Sequence, residues 1–233
     1  MIILALDALD LNLVNKFECK NLMQREYGQT DISEFSEART VVLWASFLTG
    51  KNMEAKIPLK TQWEFKLIPT ETFLRFSKTF KAIDVPALSF KQQNHAEERR
   101  LLKNYFNEKT TIEEYDAVVW KNHEENKKEF FDSIGKFDLV MSYFNLADAI
   151  GHLSFGIHNK MRQVYHELEE IAEEAKDSHN FILVISDHGM KAVGRYGDHT
   201  KNGFYSANHK LGLKLPKITD FYDLMRPTKN ESS

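Results

Sequence analysis

Residues 181–189 read Phe-Ile-Leu-Val-Ile-Ser-Asp-His-Gly: five apolar side chains without a polar break, then an Asp-His pair. Five residues are too few for a buried helix, and their Ile and Val content ahead of a glycine fits a strand covered on both faces. Strands of this kind build open α/β sheets, which bind ligands beyond the carboxyl ends of their strands. Asp187 and His188 stand at such an end, and both are side-chain types that ligate metal ions. An isolated Asp-His-Gly can equally be an ordinary turn, so the rest of the chain has to decide.

The same pattern occurs at the start of the chain, where the apolar run Met1 to Leu6 ends at Asp7. Asp10 to Tyr27 follows as a predicted helix. Thr40 to Gly50 has a hydroxyl at its head, an apolar body and a terminal glycine, which predicts a helix with Thr40 in its first turn and Gly50 as its cap. The free N–H groups at such a helix start favour an anion beside Thr40. Between Lys51 and about Phe131, Lys and Glu rise and Pro58, Pro69 and Pro86 interrupt the chain. The segment reads as a peripheral helical insertion, with amphipathic helices over Ala96–Phe106 and Ile112–Phe131. Phe137–Tyr143 returns to strand composition, and Lys160–Lys176 places Met161, Val164, Leu168 and Ile171 on one helical stripe. This order predicts an α/β three-layer sandwich, a mainly parallel central sheet with helices on both faces, forming a single domain over 1–233 with its insertion at about 51–131. Arg226–Ser233 reads as a frayed polar tail.

Composition narrows the chemistry. The net charge is -3 with Lys and Arg dispersed, which argues against a stable nucleic-acid complex. The apolar start is six residues long, too short for a bilayer span or a secretory signal, so no membrane association is expected. The single cysteine, Cys19, rules out an internal disulfide framework and a Cys-based zinc site, and fits the cytoplasm. Any metal must then be held by carboxylates and the nine histidines, ligands that suit zinc, manganese or iron.

Asp148 and His152 are four apart, which on a helical turn places both on one face and lets them hold one ion. His199 lies in the polar loop Gly197-Asp198-His199-Thr200, with Asp198 a candidate to orient it; His209 is the competing choice for a terminal ligand. His95, His123, His158, His166 and His179 fall in helical or polar stretches and are expected to face solvent.

Taken in order, these residues resemble the alkaline phosphatase superfamily, and most closely its type I phosphodiesterase and nucleotide pyrophosphatase branch with small archaeal-type relatives. Asp7 matches the Asp that ends the family's first strand. Thr40, nine residues before Thr49-Gly50, matches the nucleophile at a helix start. Asp148-Ala-Ile-Gly-His152, Asp187-His188-Gly189, and His199 ahead of Gly203-Phe204-Tyr205-Ser206 match the remaining motifs. The resemblance covers the core of the chain but not the insertion. It implies two divalent metal ions, zinc first with manganese or iron as alternatives, one held by Asp148, His152 and His199 and the other by Asp7, Asp187, His188 and the Thr40 hydroxyl. The implied reaction is hydrolysis of a small phosphorylated substrate, a phosphodiester or nucleotide pyrophosphate, through phospho-threonine. A phosphomonoesterase and a catalytically lapsed phosphoryl-ligand binder are the alternatives. Two departures stand out. Leu43 occupies the position where the family has a phosphate-binding Asn, and Ala8 follows Asp7 where Gly is frequent. The short insertion disfavours mutase activity, and Thr40 cannot become a sulfatase formylglycine.

Overall fold

In the computed structural model, which describes residues 1–227 apart from Asp177 and His179, the elements in chain order are β1 (Ile2–Leu6), α1 (Leu11–Lys16), β2 (Glu26–Asp31), α2 (Thr40–Thr49), β3 (Phe80–Ile83), α3 (Gln92–Phe106), α4 (Ile112–Ser133), β4 (Leu139–Phe144), α5 (Leu146–Ser154), α6 (His158–Lys176), β5 (Ile182–Ile185), β6 (Met190–Val193), β7 (Tyr196–His199), β8 (Asn202–Ala207) and α7 (Phe221–Leu224). The two unbroken apolar runs become central strands. β1 pairs in parallel with β4 on one side and β5 on the other, and the sheet order is β2-β8-β5-β1-β4-β3. β3 extends the parallel set, whereas β8 runs antiparallel to both β5 and β2.

Successive strand residues point to opposite faces, and both faces are buried. Ile2, Leu4 and Leu6 join Val140, Ile182 and Val184 in a core closed by α4, α5 and α6. Ile3 and Ala5 join Met141, Tyr143, Leu183 and Ile185 in a second core closed by α2 and the α7 region. These two cores, one per face, are the expected three-layer α/β arrangement. Within the second, nine of the ten residues of α2 are buried, each large apolar side chain contributing about 1.5–3 kcal/mol. The helix ends at Gly50 in the left-handed conformation (φ 67°), where a Cβ would lie 2.6 Å from that of Tyr222.

The helix expected over Asp10–Tyr27 is much shorter. Asp10 caps α1 by accepting from the N–H groups of Asn12 and Leu13, but the helix stops at Lys16 because Glu18 turns left-handed (φ 57°), and residues 26–31 become an edge strand on β8. The segment 51–131 holds α3 and α4 near their expected bounds. It also holds short 3-10 turns and β3, which makes the last parallel pairing of the sheet with β4.

Two of the five histidines expected at the surface are buried. His95 is 5% exposed because Asp84 and Glu98 flank its ring, and His123 is 1% exposed because Glu167 meets its Nε2 at 3.0 Å. His158 and His166 are exposed as expected, while His179 and most of the 226–233 tail lie outside the described residues. His199 does not sit in a loop. It ends the two-stranded ribbon of β6 and β7, which rests on α5 so closely that a Cβ on Gly197 would lie 2.8 Å from the Gly151 carbonyl and 2.1 Å from Met190 Sδ.

Candidate metal centre

The alternation of β1 and β5, continued two residues past Ala5 and Ile185, carries Asp7 and Asp187 toward the α2 face. Both are fully buried, as is His188. The chain turns directly after Asp7 at Ala8, which is left-handed (φ 56°) and completely buried. Ser186 braces the turn by accepting from Leu9 N–H (2.9 Å) and donating to the His188 carbonyl (2.7 Å). Tyr143, on the same face of the neighbouring strand, donates its hydroxyl to Asp7 Oδ2. It went unnoticed in the sequence, although the parity that selects Asp7 also selects a tyrosine one strand away.

His188 Nδ1 faces the Gly189 carbonyl at 3.1 Å. A carbonyl can only accept, so Nδ1 carries the proton and Nε2 presents a lone pair. That lone pair points at two carboxylates, 3.2 Å from Asp7 Oδ1 and 3.6 Å from Asp187 Oδ2. Proximity does not produce bonds here. Asp7 Oδ1, both Asp187 oxygens and His188 Nε2 are buried without a hydrogen-bond partner among the described residues. Buried polar atoms left unmatched cost about 1–3 kcal/mol each, more when charged. Acceptors converging on acceptors are the donor set of a divalent cation, and the ligand atoms of Asp7, Asp187 and His188 lie within 4.8 Å of one another. The protonation equilibria agree. Burial, then the neighbouring Asp148 charge, lifts Asp7 to about 6; burial and Asp7 raise Asp187 well above the carboxylate range; burial and His199 push His188 down to about 3, keeping its ring neutral.

Asp148 and His152, one turn apart on α5, meet as expected, with His152 Nε2 3.3 Å from Asp148 Oδ2. His199 Nε2 approaches the other oxygen at 3.1 Å, and its Nδ1 donates to the Ala38 carbonyl at 3.2 Å. Burial works against charge on His199, yet the Asp148 hydrogen bond raises it to about 9; Asp148 also raises His152. The tightest cluster on this side is Asp148, His188 and His199, ligand atoms within 4.8 Å, because the His188 and His199 rings stack with centroids 3.9 Å apart. His188 thus touches both clusters, and His152 stands just outside the second. Asp198 does not orient His199. Its side chain is exposed and pairs with Lys191 at 3.3 Å, while the Ala38 carbonyl holds the ring. His209 is exposed beside Asn208, whose backbone bonds Ile182 at the opposite end of β5 from Asp187, because β8 runs antiparallel.

Thr40 opens α2 on the wall of a cavity of about 320 Å³ that Asp7, Asp148, His152 and His199 also line. Its N-cap, Arg39, makes no side-chain capping bond, so the N–H groups of the first turn remain available. Leu43 is fully buried in the α2-side core.

The family pattern for type I phosphodiesterase / nucleotide pyrophosphatase matches residues 67–210, more than half of the chain. The chain belongs to the type I phosphodiesterase / nucleotide pyrophosphatase family. The matched span of this phosphodiesterase-family member contains Asp148, His152, Asp187, His188 and His199, while Asp7 and Thr40 precede it. No curated protein matches the chain by sequence. Among solved structures, alkaline phosphatase from the Antarctic bacterium TAB5 is similar in fold, with 12% identity, 96% of this chain and 95% of that chain covered, and a TM-score of 0.53. Murine ectonucleotide pyrophosphatase / phosphodiesterase 5 gives 13% identity, 84% and 58% coverage and a TM-score of 0.45. Phosphonoacetate hydrolase from Sinorhizobium meliloti 1021 gives 14% identity, 82% and 56% coverage and a TM-score of 0.47. The chain therefore spans less than two thirds of the length of these last two proteins. No helix among the described residues is long and apolar enough to cross a membrane.

Proposed function

We propose that the protein is a metal-dependent hydrolase of small phosphate esters, acting on phosphodiester or nucleotide pyrophosphate bonds in the cytoplasm, with Thr40 as its nucleophile. Family membership supports phosphoester hydrolysis. The observation that carries the metal-dependent reading is the His188 lone pair aimed at Asp7 and Asp187, with four buried ligand atoms left unmatched.

In this reading Asp7, Asp187 and His188, with the Thr40 hydroxyl, would hold one divalent ion, zinc first among the candidates, and Asp148, His152 and His199 would hold a second. Such ions, when bound, make a coordinated hydroxyl acidic enough to react near neutral pH and offset charge that develops on phosphoryl oxygens. The chain's own residues supply the remainder. Thr40 Oγ1 gives up its proton to solvent and forms a bond to phosphorus as the ester P–O bond breaks, the departing oxygen leaving as an alcohol or phenolate; water then adds to phosphorus, the Thr40 O–P bond breaks, and one proton of that water restores the hydroxyl. The start of α2 lines the same cavity at Arg39 and Thr40, and its N–H groups can donate hydrogen bonds to the phosphoryl oxygens, a contact that the buried Leu43 side chain cannot make. Tyr143, which also lines the cavity, holds Asp7 in place through its hydroxyl.

The test is hydrolysis of bis(4-nitrophenyl) phosphate by zinc- or manganese-reconstituted protein, compared with Thr40→Ala at equal metal content. The proposal expects turnover in the wild type and its loss in the variant with metal retained. Fully metal-loaded wild type that is as inert as the variant would overturn it and leave the lapsed-binder reading. Comparing 4-nitrophenyl phosphate with the diester separates monoesterase from diesterase.

A further inference from the structure

The cavity has two walls of different origin. The sheet side contributes the carboxylates and imidazoles, and α3 contributes His95, Glu98, Arg99 and Leu102, spaced so that all four share one helical face. Five side chains that can carry positive charge line the space, and four are committed. Arg39 donates to the Ile57 carbonyl at 2.9 Å and lies 3.9 Å from Glu54. His95 sits between Asp84 (2.9 Å) and Glu98 (3.3 Å), and His152 and His199 both meet Asp148. Arg99 makes no ion pair or side-chain hydrogen bond among the described residues, and burial works against its charge. The nearest carboxylate on its own helix is already occupied: Glu98 accepts from Asn122 and Asn145, each at 2.7 Å.

Arg99 is nevertheless held in place. Its guanidinium lies 4.1 Å above the Trp63 ring. Trp63 stacks on Phe90 (5.9 Å, 13°), and Phe90 stacks on His95 (4.0 Å, 11°). A guanidinium over an aromatic ring spends none of its N–H groups on a hydrogen bond there, so they stay available to a planar oxyanion.

We propose that Arg99 on Trp63 forms a subsite for a second anionic group, a carboxylate or phosphate carried by the organic part of the substrate, while the ester phosphorus sits at the carboxylate–imidazole wall. This rests on the hydrolase reading for its orientation, but the subsite can be tested without turnover. A cavity of about 320 Å³ has room for a small aryl or sugar portion between the walls.

The experiment uses two substrates that differ by one charge, phenyl 4-nitrophenyl phosphate and 4-carboxyphenyl 4-nitrophenyl phosphate. Wild type should favour the carboxylated ester in kcat/KM by about ten-fold or more, mostly through KM, as expected for a charge-assisted pair. Arg99→Ala, and Arg99→Met, which keeps a stem on Trp63, should bring that ratio to about one. A wild-type ratio near one, or a ratio unchanged in both variants, overturns the subsite. If neither ester is hydrolysed, the hydrolase reading fails alone and binding decides. 4-Carboxyphenylphosphonate should change Trp63 emission, assigned with Trp63→Phe, and should bind at least ten-fold tighter than phenylphosphonate; loss of that difference in Arg99→Met supports the subsite, and no difference in the wild type removes it. Substituting 1,4-phenylenediphosphonate tells whether phosphate or carboxylate fits better.

Discussion

His95 carries a buried positive charge whose contribution can be read from the pH dependence of stability. Burial opposes the imidazolium, but hydrogen bonds and charge from Asp84 and Glu98 outweigh it and raise the group from 6.5 to about 9. The Lys91 backbone N–H and Asn126 donate to Asp84, Asn122 and Asn145 donate to Glu98, and Arg99 and Tyr143 lie beside the cluster. At about 1.36 kcal/mol per unit, the shift corresponds to about 3 kcal/mol of folding free energy. Because the folded-state value is raised, that contribution is fully present below about pH 6.5 and is lost as pH rises through about 9. Urea midpoints for wild type and His95→Gln at pH 6, 7.5, 9 and 10 isolate it, since the tyrosines and lysines that titrate in this range are common to both proteins. The stability difference between the two should narrow by about 2–3 kcal/mol between pH 6 and pH 10. A difference that stays constant over the range would mean a neutral His95 and would refute the charged reading of the cluster.

Two substitutions test the backbone around the centre. Gly197→Ala places a Cβ 2.8 Å from the Gly151 carbonyl and should lift the β6–β7 ribbon from α5, costing about 1–3 kcal/mol; calorimetric zinc titration should weaken by about 10- to 100-fold as His199 moves, and unchanged affinity would show that His199 is not a ligand. Ala8→Gly relieves a left-handed residue worth about 1–2 kcal/mol but loses a buried methyl of about 0.8 kcal/mol and adds chain entropy of about 0.5–1 kcal/mol. The terms nearly cancel, so thermal unfolding should shift by a few degrees at most, and a loss above about 2 kcal/mol would contradict the left-handed conformation.

What the sequence revealed depended on whether the cause was local. Phe181–Ile185 and Met1–Leu6 announce their burial by composition, and strand parity then delivers Asp187 and Asp7 to one place. Thr40 and Gly50 mark both ends of α2 correctly because caps are local chemistry. The α/β class and the helices α3, α4 and α6 were legible through periodicity. The misses have distant causes. His95 and His123 are polar residues on charged helices, and only partners from Asp84 and Glu167, brought close by the fold, bury them. His199 lies in a ribbon whose strands are four residues long with one buried side chain, too short and too exposed for an alternating pattern. Tyr143 reads as ordinary strand composition until its neighbour Asp7 is known. At Asp10–Tyr27 the apolar spacing continues past Lys16, but a single left-handed residue, Glu18, redirects the chain.

The bond from His199 Nδ1 to the Ala38 carbonyl joins segments 161 positions apart, and it also decides which ring nitrogen is left to do anything else. With Nδ1 engaged as donor, Nε2 must either keep its proton, shared with Asp148, or surrender it to coordinate a cation. Coordination of a cation at this position would therefore be an exchange in which one proton leaves for each ion that arrives. Since the Asp148 hydrogen bond raises His199 to about 9, a proton competes with a cation for this nitrogen throughout the neutral range. The cell's acidity and its metal supply would act on the same atom, in opposite directions.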